Sequence, residues 1–137
     1  MNAIIPKTDV STDRKAVITL GNTQYELILT TRATKIIAKK YGGIEHLGEE
    51  LMGAEHFEDA IDEIVWLITL LANQSIAIYN LWHKDEPKEI LTEEEVELLT
   101  TPFDLATYKD AIMECMYKGT KRNVESEDNT SKNTQDE

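Results

Sequence analysis

The stretch that decides the fold is IVWLITLLANQSIAIYNLW, residues 64–82, which runs for 19 residues without a charged side chain. A helix of this length is long enough to cross a membrane. Its centre, however, holds the polar side chains of Asn73, Gln74 and Ser75, and it lacks the basic flanks that usually border a membrane-spanning helix. A helix that is apolar on all sides is also typical of a protein core. We therefore interpret the stretch as a central helix that is buried in the domain or between subunits, and predict no membrane contact.

This central helix is predicted to begin before the apolar run, at about Glu55, and to end at Trp82. Carboxylates occupy its first turns, where the positive end of the helix dipole favours negative charge. They are Glu58, Asp59, Asp62 and Glu63.

A β-hairpin is predicted upstream, because AVITL (16–20) and TQYELIL (23–29) flank the turn pair Gly21-Asn22. Closing the hairpin on that pair fixes its register. The expected partners are Leu20 with Thr23, Ile18 with Tyr25, and Ala16 with Leu27. One face of the hairpin is then apolar, and helices must cover it, because two strands alone are marginally stable.

Two helices are predicted between the hairpin and the central helix. The first has an apolar stripe and ends at Gly42-Gly43. That stripe consists of Ala33, Ile36, Ile37 and Tyr41. The second is short, ends near Gly53 and buries Ile44, Leu47 and Leu51, which lie at helical spacing.

Two further helices follow Pro87. One begins with a capping box of Thr92 and Glu95 and a hydrophobic staple of Leu91 and Val96. The other begins with Thr101 as the N-cap and Pro102 at the first helical position. Its buried stripe is Leu105, Tyr108, Ile112 and Cys115, and Gly119 is its expected end.

The predicted fold class is α+β and mostly α: an N-terminal hairpin followed by a bundle of about four to five helices with one long central helix. Residues 16–119 form a single domain, preceded by a flexible arm (1–15). The segment 120–137 contains one apolar side chain, Val124, so it cannot offset its ordering entropy and is predicted to be disordered.

Charge is unevenly distributed. The 26 Asp and Glu residues against 14 Lys and Arg residues give a net charge of −12, which argues against a nucleic-acid partner. Residues 1–41 carry +4, so the remainder carries −16. This asymmetry has two interpretations: solvated helix faces, or a basic end that meets the acidic end of a neighbouring copy in a homo-oligomer. The residues proposed for self-association are Arg32, Lys35, Lys39 and Lys40 on the basic side, and Glu49, Glu50, Asp59 and Glu63 on the acidic side.

No pattern in the sequence is typical of catalysis or of a cofactor. The spacing of His46, His56 and His83 fits no metal motif. The single cysteine, Cys115, falls on an apolar helical stripe, where a buried and inert thiol is expected. It permits no intramolecular disulfide, and the first residues lack a signal-peptide core, so a reducing cytosol is the expected compartment. We expect no catalytic, cofactor-binding or metal-binding residue.

The order of these elements resembles the tail assembly chaperones of long-tailed bacteriophages (siphoviruses) of Gram-positive hosts. Four stretches carry the resemblance: VITLGNTQYELILTTRATKII (17–37), KKYGGIEHLGEEL (39–51), DAIDEIVWLITLLANQSI (59–76) and LTEEEVELLTTPFDLATYKDAI (91–112). The resemblance extends over residues 16–118, about three quarters of the chain. Residues 1–14 form an arm that the family pattern lacks.

The resemblance implies a small, mostly helical protein of the host cytoplasm, absent from the mature virion. Its implied partners are the tape measure protein and the tail tube protein. The family has no catalytic residues, so Leu27, Ile36, Leu47 and Trp66 would belong to the scaffold. A longer product made by frameshifting near the polar tail would also fit the family.

Three hypotheses of function follow. The first is a non-enzymatic tail assembly chaperone that binds an elongated helical partner through apolar residues of the long helix, namely Trp66, Leu70, Ile78 and Trp82. The second is an acidic inhibitor that mimics nucleic acid and binds a DNA-binding protein. The third is an enzyme, for which the Asp59, Asp62 and Glu63 carboxylates are the only candidates.

Overall fold

The computed structural model describes residues 15–53 and 57–135, so the predicted arm lies outside the described residues except for Lys15. Within these ranges two strands are followed by five helices. In chain order they are β1 (Lys15–Leu20), β2 (Thr23–Ile28), α1 (Thr31–Tyr41), α2 (Ile44–Gly53), α3 (Phe57–Trp82), α4 (Glu93–Leu99) and α5 (Pro102–Gln135). The predicted class, mostly helical with an N-terminal hairpin and one long central helix, is confirmed.

The hairpin has the predicted register. Its antiparallel pairs include Ala16 with Leu27, Ile18 with Tyr25, and Leu20 with Thr23. Gly21 opens the turn at a φ of 60°, a left-handed conformation that glycine adopts without steric penalty. The predicted inner face is buried against α3 and α5.

Helix α5 covers the outer edge of β1. The Lys118 ammonium donates a hydrogen bond to the Lys15 carbonyl (3.0 Å), and the Tyr108 hydroxyl donates one to the Thr19 carbonyl. Beside this edge, Lys15 and Glu26 form an ion pair at 2.8 Å in which both side chains are largely buried. Exposed strand edges invite pairing with another chain, so these contacts occupy part of an otherwise open edge.

Helix α3 forms the centre of the core, as predicted. Leu67, Ile68 and Leu71 are completely buried, and the polar side chains of Gln74 and Ser75 are buried with them. The Thr30 hydroxyl donates to Gln74 Oε1 (2.5 Å), and Ser75 donates to the carbonyl one helical turn earlier (2.8 Å). Among the described residues, no buried side-chain nitrogen or oxygen lacks a hydrogen-bond partner.

The segment Ala60–Trp82 of α3 is long and apolar enough to cross a membrane by length and composition alone. It is the one such segment found in the described residues, and 56% of its apolar 18-residue window is buried inside the fold. The core helix of a water-soluble protein meets the same criteria. The absence of membrane contact therefore stays a prediction.

Helix α1 ends at Gly42, as predicted. Gly42 adopts a φ of 86°, and its N–H donates to the Ala38 carbonyl (2.7 Å). Ala33 and Ile37 are fully buried, whereas Ile36, which belongs to the same predicted apolar stripe, is 37% exposed. The core accepts only a narrow stripe of α1, and Ile36 lies at its margin.

Two asparagines of α3 hold the returning chain against the helix. Asn73 donates to the Leu91 carbonyl (2.8 Å) and accepts from the Leu91 N–H (2.7 Å). Asn80 makes the same pair of bonds with the Lys88 backbone, at 3.0 and 2.8 Å. The seven residues from Asn73 to Asn80 rise by about 10.5 Å along the helix, and the three residues from Lys88 to Leu91 span about 10 Å when extended. The spacing of the two asparagines therefore matches the spacing of the two backbone sites that they bind.

Helix α4 begins where this extended segment ends. The predicted capping box is present: the Thr92 hydroxyl accepts from the Glu95 N–H (3.1 Å), and the Glu95 carboxylate accepts from the Thr92 N–H (2.8 Å). Leu91 and Val96, predicted as the staple, are both buried in the main core. The start of α4 is thereby fixed.

Helix α5 also begins as predicted. The Thr101 hydroxyl accepts from the Asp104 N–H (3.2 Å), and the Asp104 carboxylate accepts from the Thr101 N–H (3.0 Å). The predicted stripe faces the core, with Leu105, Ile112 and Cys115 buried and Tyr108 half-buried.

The predicted end of α5 at Gly119 is wrong, because the helical backbone continues to Gln135. A single glycine weakens a helix by about 1 kcal/mol relative to alanine, but it removes no backbone hydrogen bond and does not by itself end a helix. The predicted disorder of 120–137 stays a prediction, because no side chain beyond Lys118 is described.

The asparagine pairs give a prediction about stability. Replacing Asn73 with Ala leaves the N–H and the carbonyl of the buried Leu91 without partners, so the free energy of unfolding should fall by about 1–3 kcal/mol. The matched change Asn80→Ala removes the same two bonds at an exposed site, where water replaces them, and should cost less than about 1 kcal/mol. Urea denaturation measures the free energy of unfolding of both variants. Equal losses in the two variants would contradict the conclusion that Asn73 satisfies buried backbone groups and Asn80 exposed ones.

Candidate binding surface

The structure brings several of the predicted self-association residues together within one chain. Helix α1 runs antiparallel to α3, since Thr30 contacts Gln74 and Tyr41 contacts Glu63, 11 residues away along each helix. At the second contact the Tyr41 hydroxyl donates to the Glu63 carboxylate. Glu63 therefore has a partner inside its own chain.

Lys40 and Trp66 complete this cluster. The Tyr41 and Trp66 rings meet edge to face with their centroids 6.0 Å apart, and the Lys40 ammonium lies over the Trp66 ring, 4.7 Å from its centroid. Cation–π contacts of this kind are worth roughly 0.5–1 kcal/mol at exposed sites. Lys40 is thus engaged by the aromatic pair of its own chain.

The electrostatics of the cluster act on the Tyr41 phenol. Burial raises the pKa of Tyr41 well above its ordinary value of 10.0, and the hydrogen bond to Glu63 and the charges of Glu63 and Glu50 raise it further. The cluster thus favours the neutral phenol.

The other predicted self-association residues remain at the surface. Arg32, Lys35 and Lys39 are exposed on α1, and Glu49 and Glu50 are exposed on α2. The side chain of Asp59 lies outside the described residues. A basic face of α1 and an acidic face of α2 are therefore available to another molecule.

The four predicted partner-binding residues of α3 differ in exposure. Trp66, Leu70 and Ile78 are half-buried, and the first two pack against the main core. Trp82, in contrast, is 71% exposed at the end of the helix. The helix buries most of its middle and presents its C-terminal end.

Downstream of that end, the segment 81–104 exposes further large apolar side chains, and we call the exposed side of this segment the 81–104 surface. Of the large apolar side chains that are exposed in the described residues, six belong to it: Leu81, Trp82, Ile90, Leu98, Leu99 and Phe103. Leu98 and Phe103 are the most open, at 76% and 78%. Such side chains mark interaction sites when they occur together.

The sequence prediction missed most of this surface, although a signal was present. Helix α4 has only seven residues, and the staple commits Val96 to the core. Leu98 is two positions further on, about 200° around the helix, so it faces away from the core. A short helix can bury only a few apolar residues, so the further apolar residues of α4 indicated an exposed apolar surface.

The groups considered for chemistry occupy structural positions. Burial raises the pKa of the Cys115 thiol to about 12, which keeps it in the unreactive protonated form. The His46 ring contacts the Tyr41 carbonyl (3.1 Å), and the His83 ring contacts the Tyr79 carbonyl (2.9 Å) and stacks on its ring. Among the described residues, no group of three or more His, Cys, Asp or Glu side chains could hold a metal ion.

Comparison of the chain with known protein families, with curated proteins and with solved structures finds no match.

The Tyr41 cluster gives a prediction about pH. Because the folded state raises the pKa of Tyr41, the stability from this proton is complete below pH 10 and is lost as the pH rises above that value. Removing the hydroxyl in Tyr41→Phe should make the decline in the free energy of unfolding between about pH 10 and 11 shallower. Urea denaturation at several pH values in this range measures how the free energy of unfolding changes with pH. The same slope for Tyr41→Phe and wild type would contradict the claim that the cluster raises the pKa of Tyr41.

The exposed basic face of α1 gives a prediction about self-association. If it docks on an acidic face of a second copy, oligomers should form at low salt and dissociate at high salt, because exposed ion pairs are screened. The double change Lys35→Glu and Lys39→Glu should abolish them. The matched control, Lys84→Glu with Lys88→Glu, should leave the oligomers intact. Sedimentation velocity measures the species, and a monomer under both salt conditions at about 100 μM would rule the interaction out.

Proposed function

We propose that this protein is a non-enzymatic tail assembly chaperone of a long-tailed bacteriophage of a Gram-positive host. In this proposal it binds the tape measure protein and the tail tube protein in the host cytoplasm and is absent from the mature virion. The observation that carries the proposal is the 81–104 surface, which presents large apolar side chains on an otherwise well-packed small fold. An assembly chaperone needs such a surface, because it must cover apolar segments of its partner until assembly.

The identity of the partners comes from the resemblance of the sequence motifs. These motifs lie on consecutive elements: the hairpin, α1 with its terminal glycine pair, α2, the long α3, α4 and the first turns of α5. The tape measure protein is long and helical, so it would offer apolar stripes at helical spacing. These stripes are the segments that the chaperone would cover.

The acidic inhibitor is the second candidate, because carboxylates are dense and exposed in the loop before α4 and on α4 itself. Exposed acidic residues there are Asp85, Glu86, Glu89, Glu93, Glu94, Glu95 and Glu97. Exposed leucine and aromatic side chains lie among them, whereas a phosphate backbone offers no apolar surface. This mixture favours a protein-assembly role over mimicry of nucleic acid.

Co-expression tests the proposed function. A helix-rich fragment of the tape measure protein from the same phage should become more soluble and should co-purify with this chain. An unrelated acidic protein of similar size and charge should give no such gain and serves as the control. Absence of a complex and of any gain in solubility would contradict the proposal, and capture of a DNA-binding protein instead would favour the inhibitor.

A further inference from the structure

The 81–104 surface combines apolar exposure with a strong negative charge. It carries eight Asp and Glu residues against two Lys residues, a net charge of −6 within 24 residues. All of these charged residues are exposed except Asp104, which is half-buried. The six exposed apolar side chains are interspersed with the carboxylates along this stretch. A ligand for such a surface needs apolar side chains bordered by positive charge.

The backbone of this surface is held in place at several points. The Asn80 and Asn73 bonds fix the extended segment before α4, and capping boxes fix the first turns of α4 and α5. Leu99 approaches the hairpin turn, because a Cβ on Gly21 would lie 3.6 Å from Leu99 Cδ2. The exposed side chains therefore stand on an ordered framework, which lowers the entropy lost when a ligand binds.

We propose that the 81–104 surface binds a cationic amphipathic helix, one whose apolar stripe is flanked by Lys and Arg. The stripe would cover exposed side chains such as Leu98 and Phe103, and the flanking cations would face Glu94 and Glu97. Surface ion pairs contribute little individually, so apolar contacts supply the affinity and charge supplies orientation and selectivity. The inference rests on the proposed function for the identity of the protein that carries this helix.

A helix fits better than the other candidate ligands. An extended peptide would have to add as a strand at the edge of β1, where it would compete with the hydrogen bonds that Lys118 and Tyr108 already make. Nucleic acid and anionic lipid are repelled by the charge of the surface. A second copy could offer α1, whose exposed face carries Arg32, Lys35 and Lys39 beside Ile36, and the experiment separates this case.

The test uses two synthetic 18-residue helices with the same leucine stripe, one flanked by lysine and one by glutamate. Fluorescence anisotropy of labelled peptide measures binding to the full chain. The lysine peptide should bind, more weakly as salt increases, and the glutamate peptide should not. In the variant Leu98→Ser with Phe103→Ser, affinity should fall by about ten-fold or more, the loss expected when central apolar contacts are removed. Both residues are so exposed that the variant should fold.

Charge reversal completes the design. Glu94→Lys with Glu97→Lys should weaken binding of the lysine peptide, whereas Glu45→Lys with Glu49→Lys, an equal change of charge on exposed residues of α2, should have little effect. Equal losses for the two pairs, or equal binding of both peptides, would overturn the proposal. If the peptide binds only after Lys35→Glu and Lys39→Glu are introduced, α1 of a second copy occupies the surface, and the assignment of the helix to a partner protein is overturned.

The two proposals can fail separately. If the lysine peptide binds as described but the tape measure fragment does not co-purify, the surface is correctly assigned and the proposed function is wrong. If the fragment co-purifies equally well with the variant Leu98→Ser and Phe103→Ser, the function stands and the assignment of the surface is wrong.

Discussion

The structure depends on the need to enclose one helix. Helix α3 has 26 residues and carries apolar side chains around most of its circumference, so no single neighbour could cover it. The hairpin, α1, α2, α4 and α5 all contact it. Burial of apolar area is the main favourable contribution to folding, and among the described residues nine apolar side chains of this helix are buried.

The same helix also determines where polar groups are tolerated. Asn73, Gln74 and Ser75 interrupt its apolar run, and each has a hydrogen-bond partner: the Leu91 backbone, the Thr30 hydroxyl and the helix's own Ala72 carbonyl. A buried amide without a partner would cost about 1–3 kcal/mol. These residues therefore specify how α1 and the 88–91 segment dock, in addition to being compatible with burial. The 81–104 surface follows from that docking, because the chain leaves the end of α3 and is drawn back along its side.

Local rules made much of the fold predictable. The hairpin register, the end of α1 at Gly42 and the capping box at Thr92 each depend on a few neighbouring residues, and all three were predicted correctly. The exposure of Ile36 and the meeting of Lys40 with Trp66 depend on how α1 packs against α3, which no local pattern specifies. The candidate surface was predicted only at Trp82. The exposure of Leu98 follows from its position relative to Val96 on a short helix and was missed, whereas the exposure of Phe103 depends on the side of α5 that the core covers. The continuation of α5 past Gly119 shows a further limit, since one glycine weakens a helix without ending it.

In the proposed function, this protein meets its partner at the 81–104 surface, which is ordered, acidic and apolar. Hydrogen–deuterium exchange, compared between the free chain and the chain saturated with the lysine-flanked helix, tests this proposal most directly. The account predicts added protection in fragments covering 81–104 and unchanged exchange in fragments covering α2. Protection that appears on α1 or α2, or that leaves 81–104 unchanged, would contradict it.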